Sequence, residues 1–278
     1  MSEYTYPIVL SIAGSDSGGG AGIQADLKTI SALGCFGTTA ITALTAQNTL
    51  GITDIHPIPV DFVKVQINAV MDDLKPSAIK IGMVHSAELA VGIAEVLSKY
   101  PDVPIIFDPV MVATSGDRLI AGDIVETLKE HLFPVAELLT PNMDEAAVLA
   151  GIEIRTLSDM RVAALRIMRY GCNSVLIKGG HLKGPDLFDV YLDKEDNERI
   201  YRSSAVDTIN THGTGCSLSS AIASFIALGN DINTSIANSK NYIQNAIEQG
   251  RNVKTGSGHG PINHFFDPQK LYKNKMKT

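Results

Sequence analysis

The chain has no tryptophan and only three cysteines, Cys35, Cys172 and Cys216, among its 278 residues. An odd, sparse set is no disulfide framework. No two of them sit at metal-ligand spacing, which argues against a structural zinc site. Basic residues are also few: 23 Lys and Arg face 30 Asp and Glu, for a net charge of -7. A general nucleic-acid binder usually carries a basic face, so that class is disfavoured. Phosphate chemistry stays open, because a few backbone amides and one lysine hold a nucleotide locally. No run approaches the roughly 20 apolar residues that span a bilayer. Met1 to Pro7 holds Glu3 and no Lys or Arg, so it lacks the charged start of a secretory signal. The expected location is the cytoplasm, with neither membrane nor nucleic acid as a partner. No repeat, low-complexity tract or Pro/Ser linker divides the chain, so one domain over residues 1–278 is expected; α/β folds of about 250 residues often stay single.

What is present is alternation. Ile8–Ala13 reads as a buried strand, and Ile23, Leu27, Ile30 and Leu33 then share one helical face. Phe36–Ala43 is a Thr/Ile-rich strand. Phe62, Val65, Ala69 and Val70 mark the next helix, Ala78–Ile81 a strand, and Leu89, Ile93, Val96 and Leu97 another helix. Val103–Phe107 is a strand, Ile124, Leu128 and Leu132 repeat at helical spacing, and Glu137–Thr140 is a short strand. Ser158–Tyr170 is helical and Ser174–Lys178 a strand. Asp186–Leu192 and Arg199–Ala205 read as a strand pair, and two helices close the chain near Gly215–Leu228 and Asn233–Glu248. This order predicts an α/β fold built on a large, mostly parallel sheet. Ligands of such sheets bind beyond the carboxyl ends of the strands.

The residues after the strands therefore matter most. The first strand runs into Gly14-Ser-Asp-Ser-Gly-Gly-Gly-Ala-Gly22. This is either a turn capped by Ser17 or Asp16, or a loop that lets a ligand approach the backbone. It is no Walker A loop, because Ile23-Gln24 stands where Lys-Ser/Thr is needed. Nor is it a dinucleotide fingerprint, because Thr38–Ala46 has no acidic residue. Asp26, one helical turn on, can complement the helix dipole. Gln47, just past the second strand, is a loop residue or an amide that reads the amino and ring-nitrogen edge of an aminopyrimidine.

Pro109 ends a strand and leaves Asp108 at the sheet's edge. Asn142 and Glu145 form a capping-box pattern, or share a face that reaches one Mg²⁺ shell. Lys178, beside Gly179 and Gly180, is a turn lysine or a neutraliser of phosphate. The sharpest signal is Thr211-His-Gly-Thr-Gly-Cys-Ser217 ahead of a helical pattern at Leu218, Ile222, Phe225 and Ile226. Free amides at a helix start bind anions, which suits the charge on a transferring phosphoryl group. Cys216 is either a structural cysteine or a thiol whose pKa that field lowers.

Taken together, Gly14–Thr29, Ala46-Gln-Asn-Thr49, Lys80-Ile-Gly-Met83, Lys178-Gly-Gly-His181 and His212-Gly-Thr-Gly-Cys216 resemble the hydroxymethylpyrimidine/phosphomethylpyrimidine kinases of thiamine biosynthesis, in the ribokinase-like superfamily. The likeness runs from about Ile8 to Phe266. It implies helices on both faces of the sheet, ATP–Mg²⁺ as donor and the pyrimidine alcohol and its phosphate as acceptors. It also implies that Gly14, Asp26, Gln47, Met83 and Val110 meet the pyrimidine. Gly213, Thr214, Gly215 and Cys216 become the anion hole, with Cys216 where the wider superfamily has an aspartate base. Lys178 is implied at the ATP phosphates, and Asp108, Asn142 and Glu145 near Mg²⁺. A homodimer is expected by the same likeness. Three alternatives stand beside this: a pyridoxal or pyridoxine kinase, a thiol hydrolase using Cys216 with His212, and a non-enzymatic pyrimidine sensor.

Overall fold

The computed structural model describes residues 3–111, 124–180 and 186–276. Among the described residues eleven strands and eight α-helices follow one another: β1 Tyr4–Thr5, β2 Ile8–Asp16, α1 Gly22–Ala32, β3 Phe36–Asn48, β4 Gly51–Pro57, α2 Val60–Asp73, β5 Ala78–Ile81, α3 Ala87–Leu97 and β6 Ile105–Phe107. There follow α4 Ile124–Thr127, β7 Leu138–Leu139, α5 Met143–Ala150, α6 Leu157–Met168, β8 Ser174–Ile177, β9 Asp186–Asp193, β10 Glu198–Ser204, α7 Thr214–Ala227, α8 Ile232–Gly250 and β11 Asn274–Lys275. No described helix is long and apolar enough to cross a membrane.

The main sheet has nine strands in the order β10-β9-β8-β7-β6-β5-β2-β3-β4. Its centre, β8 to β3, is parallel. An antiparallel β4 closes one edge and the β9–β10 hairpin the other. The parallel strands are apolar on both faces because side chains alternate and each face meets helices. Leu10, Ile79, Phe107, Leu139 and Val175 join one core with α2, α3, α5 and α6. Val9, Ala78, Ile106, Leu138 and Leu176 join the other with α1, α7 and α8.

Two expectations need correction. The helix after β4 buries Val63, Ile67 and Met71, whereas Phe62 and Val65 stay more than half exposed. Apolar residues occupy two opposite sides of this helix, so periodicity alone chose the wrong face; packing on β3 and α3 chose the other. β4 was not anticipated either. It pairs with the end of β3 and extends that strand to Asn48, so Gln47 lies inside a strand rather than beyond one.

The chain goes from β2 through α1 to β3 on one side, then returns to place β5 on the other side of β2. That reversal between β2 and β5 is the topological switch point, where open α/β sheets form a crevice.

Candidate active site

A cavity of about 680 Å³ opens at the carboxyl ends of the parallel strands. β2 delivers Gly14, Ser15 and Asp16; β3 delivers Thr45 and Gln47; β5 delivers Lys80, with Met83 just beyond. Asp108 and Val110 follow β6, Asn142 and Glu145 follow β7, and Lys178 follows β8. Gly213, Thr214, Gly215 and Cys216 enter from the start of α7. Every expected site residue except Asp26 lines this one space.

The glycine turns ahead of α1 and α7 touch each other. Gly213 has φ of +79°, and a Cβ there would lie 1.8 Å from the Gly20 carbonyl oxygen. A Cβ on Gly20 would lie 2.3 Å from the His212 ring. Glycine is needed at both places for two backbones to approach so closely. Asp16 ties the turns together. Its carboxylate accepts N–H bonds from Gly18 (2.8 Å), Gly20 (3.0 Å) and Ala21 (2.8 Å), and sits 3.0 Å from His212 Nε2. Burial favours a raised pKa, but His212 and the amides of Ala21 and Gly18 outweigh it and hold Asp16 below the usual carboxylate range. His212 is thus engaged through Nε2 with Asp16.

Helix geometry leaves the first N–H groups of α7, including Gly215 and Cys216, without acceptors in the helix, so this end suits an anion. The expected lowering of the Cys216 thiol is overturned. Burial pushes it up to about 11, and Asp26 and Asp108 add to this against the opposing pull of Lys80 and the Gly22 amide. Free amides attract an anion, but desolvation penalises a thiolate more.

At the next wall Lys178 Nζ donates to Asp108 Oδ1 at 2.8 Å, and Thr140 Oγ1 donates to the same oxygen at 3.2 Å. A Cβ on Gly215 would stand 3.3 Å from both Asp108 Oδ2 and Lys178 Nζ, so glycine brings the α7 start against this pair. Asn142 and Glu145 form a full capping box on α5. Their side chains line the cavity as well. Burial raises Glu145 to about 7; Lys178 pulls it down and Asp108 pushes it further up. Burial also works to depress Lys178, but Asp108 and Glu145 overcome it and keep the ammonium above its ordinary range. No group of three His, Cys, Asp or Glu able to hold a metal occurs among the described residues. His181 lies outside them.

The remaining wall is less polar. Gly14 faces Met83, whose Sδ would lie 3.0 Å from a Cβ at that glycine, and Val110 and Gln47 complete it. Asp26, expected here, is fully buried behind the wall. Its carboxylate accepts from Lys80 Nζ (2.7 and 2.9 Å), Ser11 Oγ (2.5 Å) and Ser220 Oγ (2.7 Å). It thus braces β2, β5, α1 and α7 at the switch point, and its acceptor positions are taken. Lys80 is the residue that sequence reasoning quoted but left without a role. A lone lysine in the buried strand Ala78-Ile-Lys-Ile81 was the available signal, since a buried charge needs a partner. Asp189 and Lys240, also paired at the cavity wall, gave no such signal.

A family model described as phosphomethylpyrimidine kinase matches residues 16–263. The chain belongs to the phosphomethylpyrimidine kinase family. A hydroxymethylpyrimidine/phosphomethylpyrimidine kinase of Rhizobium meliloti is 46% identical over 259 residues, covering 93% of this chain and 97% of the relative. The chain also matches the "Thiamine biosynthesis bifunctional protein ThiED" of Geobacter sulfurreducens at 48% identity over 93% of its own length, but spans only 52% of that protein. Among solved structures, a phosphomethylpyrimidine kinase from Clostridium difficile aligns with a TM-score of 0.77 at 43% identity, covering 86% of this chain and 99% of that one. An ADP complex of Bacillus subtilis pyridoxal kinase aligns at 0.86 with 33% identity, covering 94% and 98%. The fold is the ribokinase-like one, and the family is one of phosphotransferases.

Proposed function

We propose that this protein transfers the γ-phosphoryl group of ATP to the hydroxymethyl group of 4-amino-5-hydroxymethyl-2-methylpyrimidine, and then to the resulting monophosphate, as a step of thiamine biosynthesis. The observation that carries this reading is the convergence of Lys178–Asp108, Glu145 and the start of α7 on one cavity whose opposite wall holds Gln47, Met83 and Val110. In the first transfer the substrate oxygen forms a bond to phosphorus as the bond to the ADP oxygen breaks, and the hydroxyl proton passes to an oxygen of the transferred phosphoryl group and from there to water. The Gly215 and Cys216 amides hold the charge on the equatorial oxygens. Lys178 neutralises the phosphates, and Gln47 orients the ring. Cys216, a thiol at neutral pH, shapes the hole and carries no standing negative charge.

Asp108 and Glu145 fit a Mg²⁺ ion brought in on the nucleotide. Such ions are held by one or two carboxylates plus phosphates and water, and an ion beside Glu145 would favour the charged form that burial opposes. Mg²⁺ there would neutralise charge building on the phosphate oxygens.

The likeness to pyridoxal kinases supports pyridoxal as the runner-up acceptor. The test incubates the protein with MgATP and each alcohol and identifies products by mass. Pyrimidine mono- and diphosphates with ADP are expected. Absence of any phosphorylated pyrimidine would overturn the reading, and pyridoxal phosphate alone would move it to the runner-up. We further propose one domain over residues 1–278 and a cytoplasmic homodimer. The edge strand β4 and the exposed Leu44, Leu50, Phe62 and Val65 support association; light scattering on the purified chain tests it.

A further inference from the structure

Thr45 and Gln47 stand two residues apart on β3, so their side chains share one face of the strand. Both line the cavity. The backbone of Gln47 is pinned from the Gly-rich loop: Ser17 Oγ lies 2.8 Å from the Gln47 amide nitrogen and 2.7 Å from its carbonyl oxygen. The β3–β4 ladder shifts register at Ala46 and Gln47, and Thr53 Oγ1 donates to the Ala46 carbonyl across that irregularity. The amide of Gln47 therefore projects from a fixed place.

Its orientation is set by Thr45. Thr45 Oγ1 lies 2.9 Å from the Ser15 carbonyl oxygen and 3.0 Å from Gln47 Oε1. A hydroxyl has one proton and can accept through its lone pairs. Ser15 O can only accept, so the Thr45 proton belongs there. With that proton committed, an amide oxygen facing Thr45 would place two lone-pair-bearing oxygens against each other. Turning the amide over brings its N–H to Thr45 Oγ1 at the same spacing and removes the conflict; Gln oxygen and nitrogen are told apart by their partners alone.

We infer that Thr45 is a specificity-determining positioning residue: it holds the Gln47 amide with N–H toward Thr45 and the carbonyl oxygen toward the ligand ring. This rests on the proposed acceptor site at Gln47. An amide oxygen offered to the ring selects a ligand with an exocyclic amine, a donor. It rejects rings that present oxygen acceptors at that edge, such as pyridoxal. The relay Ser15 O, Thr45 O–H, Gln47 N–H thus converts a strand carbonyl into the sign of a hydrogen bond at the substrate.

The experiment measures kcat/KM of wild type, Thr45→Ser and Thr45→Val with the aminopyrimidine alcohol and with pyridoxal. It also measures wild-type binding of the pyrimidine whose amine is replaced by oxygen. The wild type is expected to favour the amine over its oxygen analogue by tenfold or more, as a lost or opposed polar contact in a site does. Thr45→Val is expected to cut the aminopyrimidine-to-pyridoxal ratio by about tenfold with KM for ATP unchanged, and Thr45→Ser to keep it. An unchanged ratio in Thr45→Val, or equal wild-type affinity for amine and oxygen analogues, overturns the inference. If the wild type phosphorylates neither alcohol, the proposed function itself fails. The analogue comparison needs no variant, so it can overturn the inference even where Thr45→Val does not fold, and Thr45→Ser then carries the test of Thr45 itself.

Discussion

Two lysine–aspartate pairs stand at the cavity, one behind its wall and one in it, and they behave differently. Lys80 and Asp26 meet at 2.7 Å with both side chains at 0% exposure. Lys178 and Asp108 meet at 2.8 Å with exposures of 16% and 2%. Burial opposes charge on both lysines, and the partner carboxylates outweigh it in both. The difference lies in the aspartates. Asp26 also accepts from Ser11 and Ser220, so its lone pairs are spent within the protein. Asp108 shares its surroundings with Glu145, a second buried carboxyl raised to about 7. One pair is closed and braces four elements. The other adjoins a second buried carboxyl at the cavity, where the proposed function would bring Mg²⁺ and phosphate. An ion pair at a strand end is therefore no mark of catalysis by itself; what counts is whether its charges are satisfied without the ligand.

The largest expected effect breaks the closed pair. Lys80→Met leaves Asp26 buried without its cation and should cost about 3–5 kcal/mol of stability. Lys80→Met with Asp26→Leu should recover part of it, because removing both charges avoids the uncompensated one. Urea midpoints of the three proteins check this; a single variant as stable as wild type would make the pair idle. In the open pair, Lys178→Met should lower kcat/KM for ATP by about 10²–10³-fold, the scale of losing one transition-state donor. It should cost less stability than Lys80→Met. Steady-state constants within twofold of wild type would remove Lys178 from the chemistry.

The sealed side of α7 should also show in acid. His264 sits 3.0 Å from Ser217 Oγ, and burial, helped by Lys28, lowers its pKa from 6.5 to about 4. The unfolded chain then binds the extra proton first. The stability tied to a neutral His264 is full above pH 6.5 and is lost progressively as pH falls from 6.5 through about 4. The loss is on the order of 3 kcal/mol. Melting temperatures from pH 7 to 4 should fall more steeply for wild type than for His264→Gln; parallel curves would refute it. The smallest effect concerns Cys216, which feels Lys80 and Asp26 on one side and Asp108 on the other. With its thiol at about 11, Cys216→Ser should keep kcat at pH 7 within about tenfold of wild type. A loss beyond 10²-fold, with a wild-type rate rising tenfold per pH unit, would restore the sulfur as a base.

Much of this contrast was hidden in the linear pattern. Lys178 was legible because it closes an apolar strand and precedes two glycines. Asp26 was placed at the substrate by resemblance, because nothing local says that Lys80, 54 residues on, takes its carboxylate. The two readings of Cys216 stayed open in the sequence because a helix start is visible there and desolvation is not. The helix after β4 was found with the wrong face inward, because Phe62 and Val65 are as apolar as Val63 and Ile67.

By itself the sequence determined the alternation of strand and helix, and with it the parallel sheet and the strand ends where ligands bind. These follow from short-range rules: side-chain period, glycine's backbone freedom and the unpaired amides at a helix start. Only the tertiary structure decided which charges are spent and which remain available. That depends on burial and on partners far along the chain: Ser220 on Asp26, His212 on Asp16, Ser15 behind Thr45. Electrostatics in a low-dielectric interior is set by three-dimensional neighbours, and no period in the sequence encodes them.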